Sequence, residues 1–190
     1  LYDPTHGLVH LRDTNTSGVA DHSFRYGPTA SNWIAMAGDW NGDGHDSIGL
    51  YDPTAAVVYL RDSNSAGVAD ISFRFGGPGT AGWQPLAGDW DGDGRDSLGL
   101  YASDTGLVYL TNQHQPGAAE ETFRYGPTAS DWLLFNGDWN GDGQDGIGLY
   151  DAEADQVYLR DSLPPGWAEY PDANGLALLG QAPLGADVFV

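Results

Sequence analysis

The chain has 190 residues and a formal net charge of −20, because 27 acidic residues stand against seven arginines. Nucleic acid is not expected as a partner, since negative charge repels a phosphate backbone. Cysteine is absent, which excludes disulfides and thiolate chemistry, and no apolar run reaches the roughly 18–20 residues of a membrane span. The chain starts at Leu1 without a signal-like segment, so we expect a processed or excised piece of a larger secreted protein.

Along the chain, a few kinds of segment recur in a fixed order. The alternating segment 9–13 comes first, followed by the aromatic segment 24–26 and then by Gly-Asp-Trp at 38–40. An acidic loop leads from there to the apolar segment 48–51. Gly-Asp-Trp returns at 88–90 and 137–139, which gives spacings of 50 and 49 residues. A period in this range is typical of propellers and solenoids.

The segments between the turns alternate with a period of two. Val58 and Leu60 point to one side of their segment while Tyr59 and Arg61 point to the other, as in a strand. Each unit therefore contains four predicted strands: one that ends at Gly-Asp-Trp and, in the second unit, those near 48–51, 57–61 and 72–75. Four strands in about 50 residues is the size of a propeller blade. The predicted fold is an all-β, β-propeller-like repeat domain of about four four-stranded blades. The alternative is an open β-repeat array cut from a larger propeller.

We expect one β-repeat domain over residues 1–190, with units at 1–32, 33–82, 83–131 and 132–171. The chain starts inside a unit, so the first blade lacks its first strand and its acidic loop. Residues 176–190 resemble that missing strand and loop in outline, without the acidic residues. Residues 172–190 are therefore predicted to be a degenerate segment that closes a four-bladed ring.

The acidic loop 39–46 has the form D-x-[DN]-x-D-G-x-D and recurs at 89–96 and 138–145. Calcium takes six to eight oxygen ligands at about 2.3–2.6 Å, and short oxygen-bearing side chains at loop positions 1, 3 and 5 wrap around one point. Position 7 would supply its backbone carbonyl, and position 8 a further aspartate. In the order of positions 1, 3, 5, 7 and 8, the candidate ligands are Asp39, Asn41, Asp43, His45 and Asp46; Asp89, Asp91, Asp93, Arg95 and Asp96; and Asp138, Asn140, Asp142, Gln144 and Asp145.

Asp-Gly and Asn-Gly clusters are also ordinary hairpin turns, but three copies in register favour metal binding. Position 7 differs in every loop, which fits a backbone ligand and argues against a zinc role for His45. Oxygen-only ligation disfavours zinc and copper, which prefer nitrogen and sulfur. The sequence therefore predicts about three calcium ions.

The string Gly-Asp-Trp-[Asn/Asp]-Gly-Asp-Gly-x-Asp followed by an apolar strand resembles the FG-GAP/VCBS repeats. These occur in the integrin α-subunit propeller, in fungal lectins of propeller fold and in many secreted bacterial proteins. The resemblance covers roughly residues 1–161 and implies calcium-bound propeller blades used for adhesion or glycan recognition. The family commonly has a further aspartate at position 9, where this chain has Ser47, Ser97 and Gly146. The position-8 aspartates are either direct ligands or lie in the surrounding shell.

No spacing in the sequence suggests a catalytic Ser/His/Asp group or a pair of glycosidase carboxylates, so an enzyme is not expected. The repeated tryptophans suit packing between blades, or alternatively stacking on sugar rings. The predicted function is a calcium-binding, extracellular module that binds a glycan or a cell-surface or extracellular protein in adhesion. The alternative is a calcium-stapled, non-catalytic spacer or accessory domain of a secreted enzyme.

Overall fold

The computed structural model describes residues 1–77, 79 and 82–160, and its fourteen strands form four antiparallel sheets with the strands in chain order. The first sheet contains β1 (Tyr2–Asp3), β2 (Leu8–Leu11) and β3 (His22–Arg25). The second contains β4 (Ile34–Gly38), β5 (Ser47–Asp52), β6 (Val57–Leu60) and β7 (Ile71–Arg74). The third contains β8 (Gln84–Gly88), β9 (Ser97–Ala102), β10 (Leu107–Thr111) and β11 (Glu121–Arg124). The fourth contains β12 (Leu133–Gly137), β13 (Gly146–Asp151) and β14 (Gln156–Arg160).

The prediction of an all-β repeat architecture is confirmed. The second and third sheets have the four predicted strands, and the first and fourth have three strands each within the described residues. No closed barrel or ring of sheets is found in this part of the chain, so a propeller remains a proposal. The predicted closing segment 172–190 lies outside the described residues.

The sheets stack face to face, with an apolar core between each neighbouring pair. Successive residues of β5 point to opposite faces of its sheet, as strand geometry requires. Leu50 belongs to a core with Val9 and Tyr26 of the first sheet, while Tyr51 belongs to a core with Leu98 of the third. Leu50 and Tyr51 are both fully buried. Strand β5 is apolar on both faces because a neighbouring sheet covers each of them.

Neighbouring sheets also meet along their first strands. Strand β4 lies beside β8, and β8 lies beside β12. The acidic loops follow directly after these strands, so consecutive loops come into contact. No helix in the described part of the chain is long and apolar enough to cross a membrane.

The repeated tryptophans pack within the structure. Trp33, just before β4, stacks on Tyr59 of β6 with ring centroids 4.5 Å apart, and Trp83–Tyr109 and Trp132–Tyr158 repeat the arrangement at 4.8 and 5.0 Å. Trp40 is 1% exposed, and its indole Nε1 donates to the carbonyl of Ser47 at 3.1 Å. Trp40 therefore ties the start of its acidic loop to the end, whereas the indole Nε1 atoms of the equivalent Trp90 and Trp139 have no hydrogen-bond partner among the described residues.

Candidate metal centre

Each acidic loop is the hairpin connection between the first and second strands of a unit. Gly38 at the end of β4 pairs with Ser47 at the start of β5, so residues 39–46 form the whole connection. The pairs Gly88–Ser97 and Gly137–Gly146 close the other two loops in the same way. Because the flanking strands are paired up to these residues, all three loops start and end in the same geometry.

The first aspartate of each loop organises the backbone of that loop. The Asp39 carboxylate accepts hydrogen bonds from the amides of Gly42, Asp43 and Gly44 at 2.8, 3.0 and 2.7 Å. Gly42 and Gly44 have φ angles of 75° and 82°, which glycine adopts without the strain that a side chain would cause. The other two loops repeat all three bonds. The three loops are therefore folded alike around position 1.

The side-chain oxygens of the second loop lie close enough together to share one ion. One carboxylate oxygen from each of Asp89, Asp91 and Asp93 lies within 4.8 Å of the others. Two oxygens that bind one calcium ion are at most roughly 5 Å apart, given ligand distances of about 2.3–2.6 Å. The donor set and its spread therefore fit calcium, with the remaining ligands to come from backbone carbonyls and water.

The first and third loops have an asparagine at position 3 and so carry one carboxylate fewer. Asn41 accepts from the amide of Asp43 at 3.0 Å through Oδ1, and its Nδ2 donates to Asp43 Oδ2 at 3.1 Å. This side-chain bond is the main cause that lowers the pKa of Asp43. In the second loop, burial and then the charge of Asp93 raise the pKa of Asp91. The second loop therefore contains the most carboxylates, and Arg95 in the same loop offsets one of their charges.

Position 7 makes the same backbone contact in all three loops. The amides of His45, Arg95 and Gln144 donate to the position-5 carboxylate at 3.0, 2.9 and 2.9 Å. The His45 side chain is 86% exposed, and its Nδ1 lies 3.1 Å from the carbonyl oxygen of Asp43. The three loops therefore share the backbone hydrogen bond at position 7, although the side chain differs in each. The carbonyl ligand at position 7 stays a prediction.

The aspartate at position 8 contacts the loop of the preceding unit. Asp96 Oδ2 accepts a hydrogen bond from the amide of Asp39 at 2.8 Å, and the Asp96 amide donates to the Asp39 carbonyl at 2.9 Å. Asp145 forms the same reciprocal pair with Asp89, at 3.2 and 2.7 Å. Burial raises the pKa of both carboxyl groups, Asp96 and Asp145. These carboxylates join consecutive loops to each other.

The glycine before each of these contacts makes room for the aspartate. A Cβ at Gly38 would lie 2.9 Å from the Cβ and Oδ2 of Asp96, and one at Gly88 would lie 2.6 Å from Asp145 Oδ2. Real side chains do not approach so closely, and the loop's own tryptophan is equally near, at 2.8 Å from a Cβ at Gly38 and 2.7 Å from one at Gly88. The glycine of Gly-Asp-Trp therefore leaves room for this tryptophan and for the aspartate of the next unit. Asn136 strengthens the second contact, because its Nδ2 donates to Asp145 Oδ2 at 3.0 Å and to a carbonyl of β8 at 2.8 Å.

Asp46 occupies the same loop position but is exposed, whereas Asp96 and Asp145 are half-buried. Within residues 1–77, 79 and 82–160, no hydrogen bond to its carboxylate is found, and its carbonyl accepts from Asn64 Nδ2 at 3.0 Å. The loop of the first unit that would face it is not present among these residues. Direct ligation of calcium by the position-8 aspartates stays a prediction in all three loops.

Comparisons of the chain with protein-family models, with curated proteins and with solved structures found no match. The resemblance to FG-GAP/VCBS repeats therefore stays a prediction. The candidate metal centre depends on the chemistry and geometry of its own loops.

Sequence spacing within one unit does not predict the contact made by position 8. The available signal is that glycine before position 1 and aspartate at position 8 recur together in all three copies. Because Asp39 and Asp96 are 57 residues apart, their pairing depends on how one sheet stacks on the next. Position 8 is a candidate metal ligand from the sequence, and the structure adds its contact between units.

Proposed function

We propose that this protein is a calcium-binding, non-catalytic β-repeat module that recognises a glycan or an extracellular protein. The observation that carries the metal assignment is that three loops of one geometry gather oxygen donors, with the three carboxylates of the second loop within 4.8 Å of one another. The loops hold ten carboxylates. Two charges about 4 Å apart repel by roughly 1 kcal/mol in water and about 4 kcal/mol at an intermediate dielectric. About three calcium ions would relieve this repulsion.

The proposed calcium binding supports an extracellular location. Loops of this kind bind calcium with dissociation constants that range from sensor-like values of about 10⁻⁵ M to about 10⁻³ M in extracellular modules. Extracellular fluids contain millimolar calcium and keep such sites filled, whereas the resting cytosol does not. We therefore propose a secreted or cell-surface protein, with no nucleic acid partner and no insertion into a membrane.

A β-propeller-like arrangement accounts for the stacked sheets and for one incompletely covered face. Val157 and Leu159 of the fourth sheet are 44% and 43% exposed, whereas the equivalent Val58 and Leu60 of the second sheet are fully buried against the third. Apolar side chains at these repeat positions are normally covered by a neighbouring unit. Closure into a four-bladed ring, or continuation into a larger propeller, would each supply that cover.

Calcium titration of single-residue variants tests the ligand assignment. We expect Asp43→Ala and Asp93→Ala each to weaken one calcium site about tenfold or more, because removing even an indirect metal partner commonly costs about 10–100-fold in affinity. His45→Ala should leave all sites close to wild type, since it keeps the backbone carbonyl. Isothermal titration calorimetry gives both the number of sites and their affinities.

Asp43 and His45 lie two residues apart in one exposed loop, so the comparison is matched for position and solvent exposure. Far-UV circular dichroism of the calcium-loaded variants checks that each has the wild-type fold. Equal losses of affinity in Asp43→Ala and His45→Ala would contradict the assignment of positions 5 and 7.

The alternative function is a calcium-stapled spacer or accessory domain without a ligand of its own. A glycan array probed with and without calcium separates the two functions. Calcium-dependent binding to a defined set of glycans supports the recognition module. Calcium-dependent stability without any glycan or protein ligand supports the spacer.

A further inference from the structure

A cleft of about 370 Å³ lies between the first two sheets, away from the acidic loops. Its walls come from the end of β3 and the segment that follows it, from Trp33, and from one face of the second sheet. This volume is at the lower end of the roughly 300–1,000 Å³ that small-molecule sites occupy, so it suits a ligand of about one ring. The lining includes Tyr26, Pro28, Trp33, Tyr59, Val68 and Ser72.

One wall of the cleft is aromatic. Trp33 and Tyr59 stack with their ring planes 9° apart, and both side chains are only partly buried. Tyr59 pairs across its sheet with Ser72, whose hydroxyl-bearing side chain is exposed on the same face. Aromatic rings beside hydroxyl groups form an amphipathic surface, with apolar area for packing and polar groups for orientation.

Tyr26 brings a buried hydroxyl that the surrounding protein does not use. The residue is 3% exposed, and its hydroxyl oxygen has no hydrogen-bond partner among the described residues. A buried polar group without a partner destabilises the fold, because it has lost its hydrogen bonds to water and gained none in the protein. The equivalent residue in the next unit is Phe75, which is equally buried in the next core. Packing at this position therefore does not need the hydroxyl, and a ligand would supply its missing partner.

The rim of the cleft is fixed by Arg61. Its guanidinium donates to the carbonyl of Ser65 at 2.8 Å, to that of Ala66 at 3.0 Å and to that of Val68. The Val68 side chain is 82% exposed. The hydrogen bond from Arg61 to the Val68 carbonyl therefore positions a solvent-exposed apolar side chain at the edge of the cleft. The following unit has the smaller Ala118 at this position, so its edge presents less apolar surface.

The lining residues carry no formal charge, and the chain as a whole has a net charge of −20. The overall field therefore disfavours anions, and no carboxylate in the lining is placed to pair with a cation. A neutral ligand that combines an apolar ring face with hydroxyl groups matches these walls best. Pyranose sugars have this character, since their ring C–H groups form an apolar face and their hydroxyls surround the rim.

We propose that the cleft binds one neutral pyranose ring, with its C–H face on the aromatic wall and a ring hydroxyl bonded to the Tyr26 hydroxyl. This inference specifies the glycan-binding part of the proposed function and depends on it. It assigns recognition to the surface between two sheets and leaves the acidic loops their role as metal sites.

Saturation-transfer NMR and calorimetry with methyl glycosides of glucose, galactose, mannose, fucose, xylose and N-acetylglucosamine test this site in the presence of calcium. We expect at least one glycoside to bind the wild-type protein. Tyr26→Phe should bind it about five- to tenfold more weakly, the equivalent of one hydrogen bond of roughly 1 kcal/mol. Val68→Ala should also weaken binding.

Val19→Ala is the matched control, because Val19 is 85% exposed at the same position of the preceding unit and does not line the cleft. It should bind like wild type. Phenylalanine is native at the equivalent position 75, so Tyr26→Phe should fold and melt normally. The proposal is overturned if no glycoside binds, or if Tyr26→Phe and Val68→Ala bind as wild type does. If the protein binds no glycoside but still binds calcium in the titration, the metal assignment is unaffected. Loss of calcium binding would contradict the metal assignment separately.

Discussion

Calcium is expected to raise the melting temperature of this protein strongly, and EDTA to lower it. At about 1 mM calcium, a loop with a dissociation constant near 10⁻⁵ M gains roughly 2.7 kcal/mol by mass action. For a domain of this size, that gain corresponds to about 5–11 °C for one loop. Three filled loops would add up to a larger shift if they bind independently. Thermal melts followed by circular dichroism, in calcium and in EDTA, measure the effect.

Magnesium is the control for this prediction. It needs a near-ideal octahedral shell at about 2.0–2.1 Å and gives up its water reluctantly, so flexible all-protein loops bind it poorly. We expect magnesium to restore little of the stability that EDTA removes. The calcium assignment is wrong if the melting temperature is the same in EDTA and in calcium, or if magnesium restores stability as well as calcium does.

The Asp96→Ala variant is expected to lose about 1–3 kcal/mol of unfolding free energy in EDTA, because it leaves the half-buried amide of Asp39 without its acceptor. In EDTA any role of Asp96 as a metal ligand makes no contribution. Asp96→Asn keeps an oxygen acceptor and removes the charge, so it should retain most of the stability. Chemical denaturation with urea measures all variants on one scale.

Asp46→Ala provides the matched control for this contact. Asp46 holds the same loop position, but its carboxylate is exposed and makes no hydrogen bond to the residues that the structure describes. Its removal should change stability by less than about 0.5 kcal/mol, as is usual for surface substitutions. Equal stabilities of Asp96→Ala and Asp46→Ala would show that the bond between consecutive loops does not stabilise the fold.

The sequence by itself determined the local structure of each unit. Alternation at residues such as Val58, Tyr59 and Leu60 predicts strands because side-chain direction in a strand depends only on neighbouring residues. The acidic loops are equally local, since 39–46 contain both the carboxylates and the two glycines that let the chain turn around them. The repeat period then predicts the number of units, and the observed strands differ from the predicted segments by one or two residues at their ends.

Only the tertiary structure decided what happens between units. The bond from Asp96 to Asp39 joins residues 57 apart, and the cleft brings Tyr26 of one unit to Tyr59 and Val68 of the next. Such contacts depend on the distance and register at which two sheets stack, and neither follows from the pattern within one unit. Equivalent positions therefore differ in environment: Asp46 is exposed where Asp96 is half-buried, and Val157 is 44% exposed where Val58 is fully buried. Those differences arise because packing between sheets, unlike strand formation, is a property of two units together.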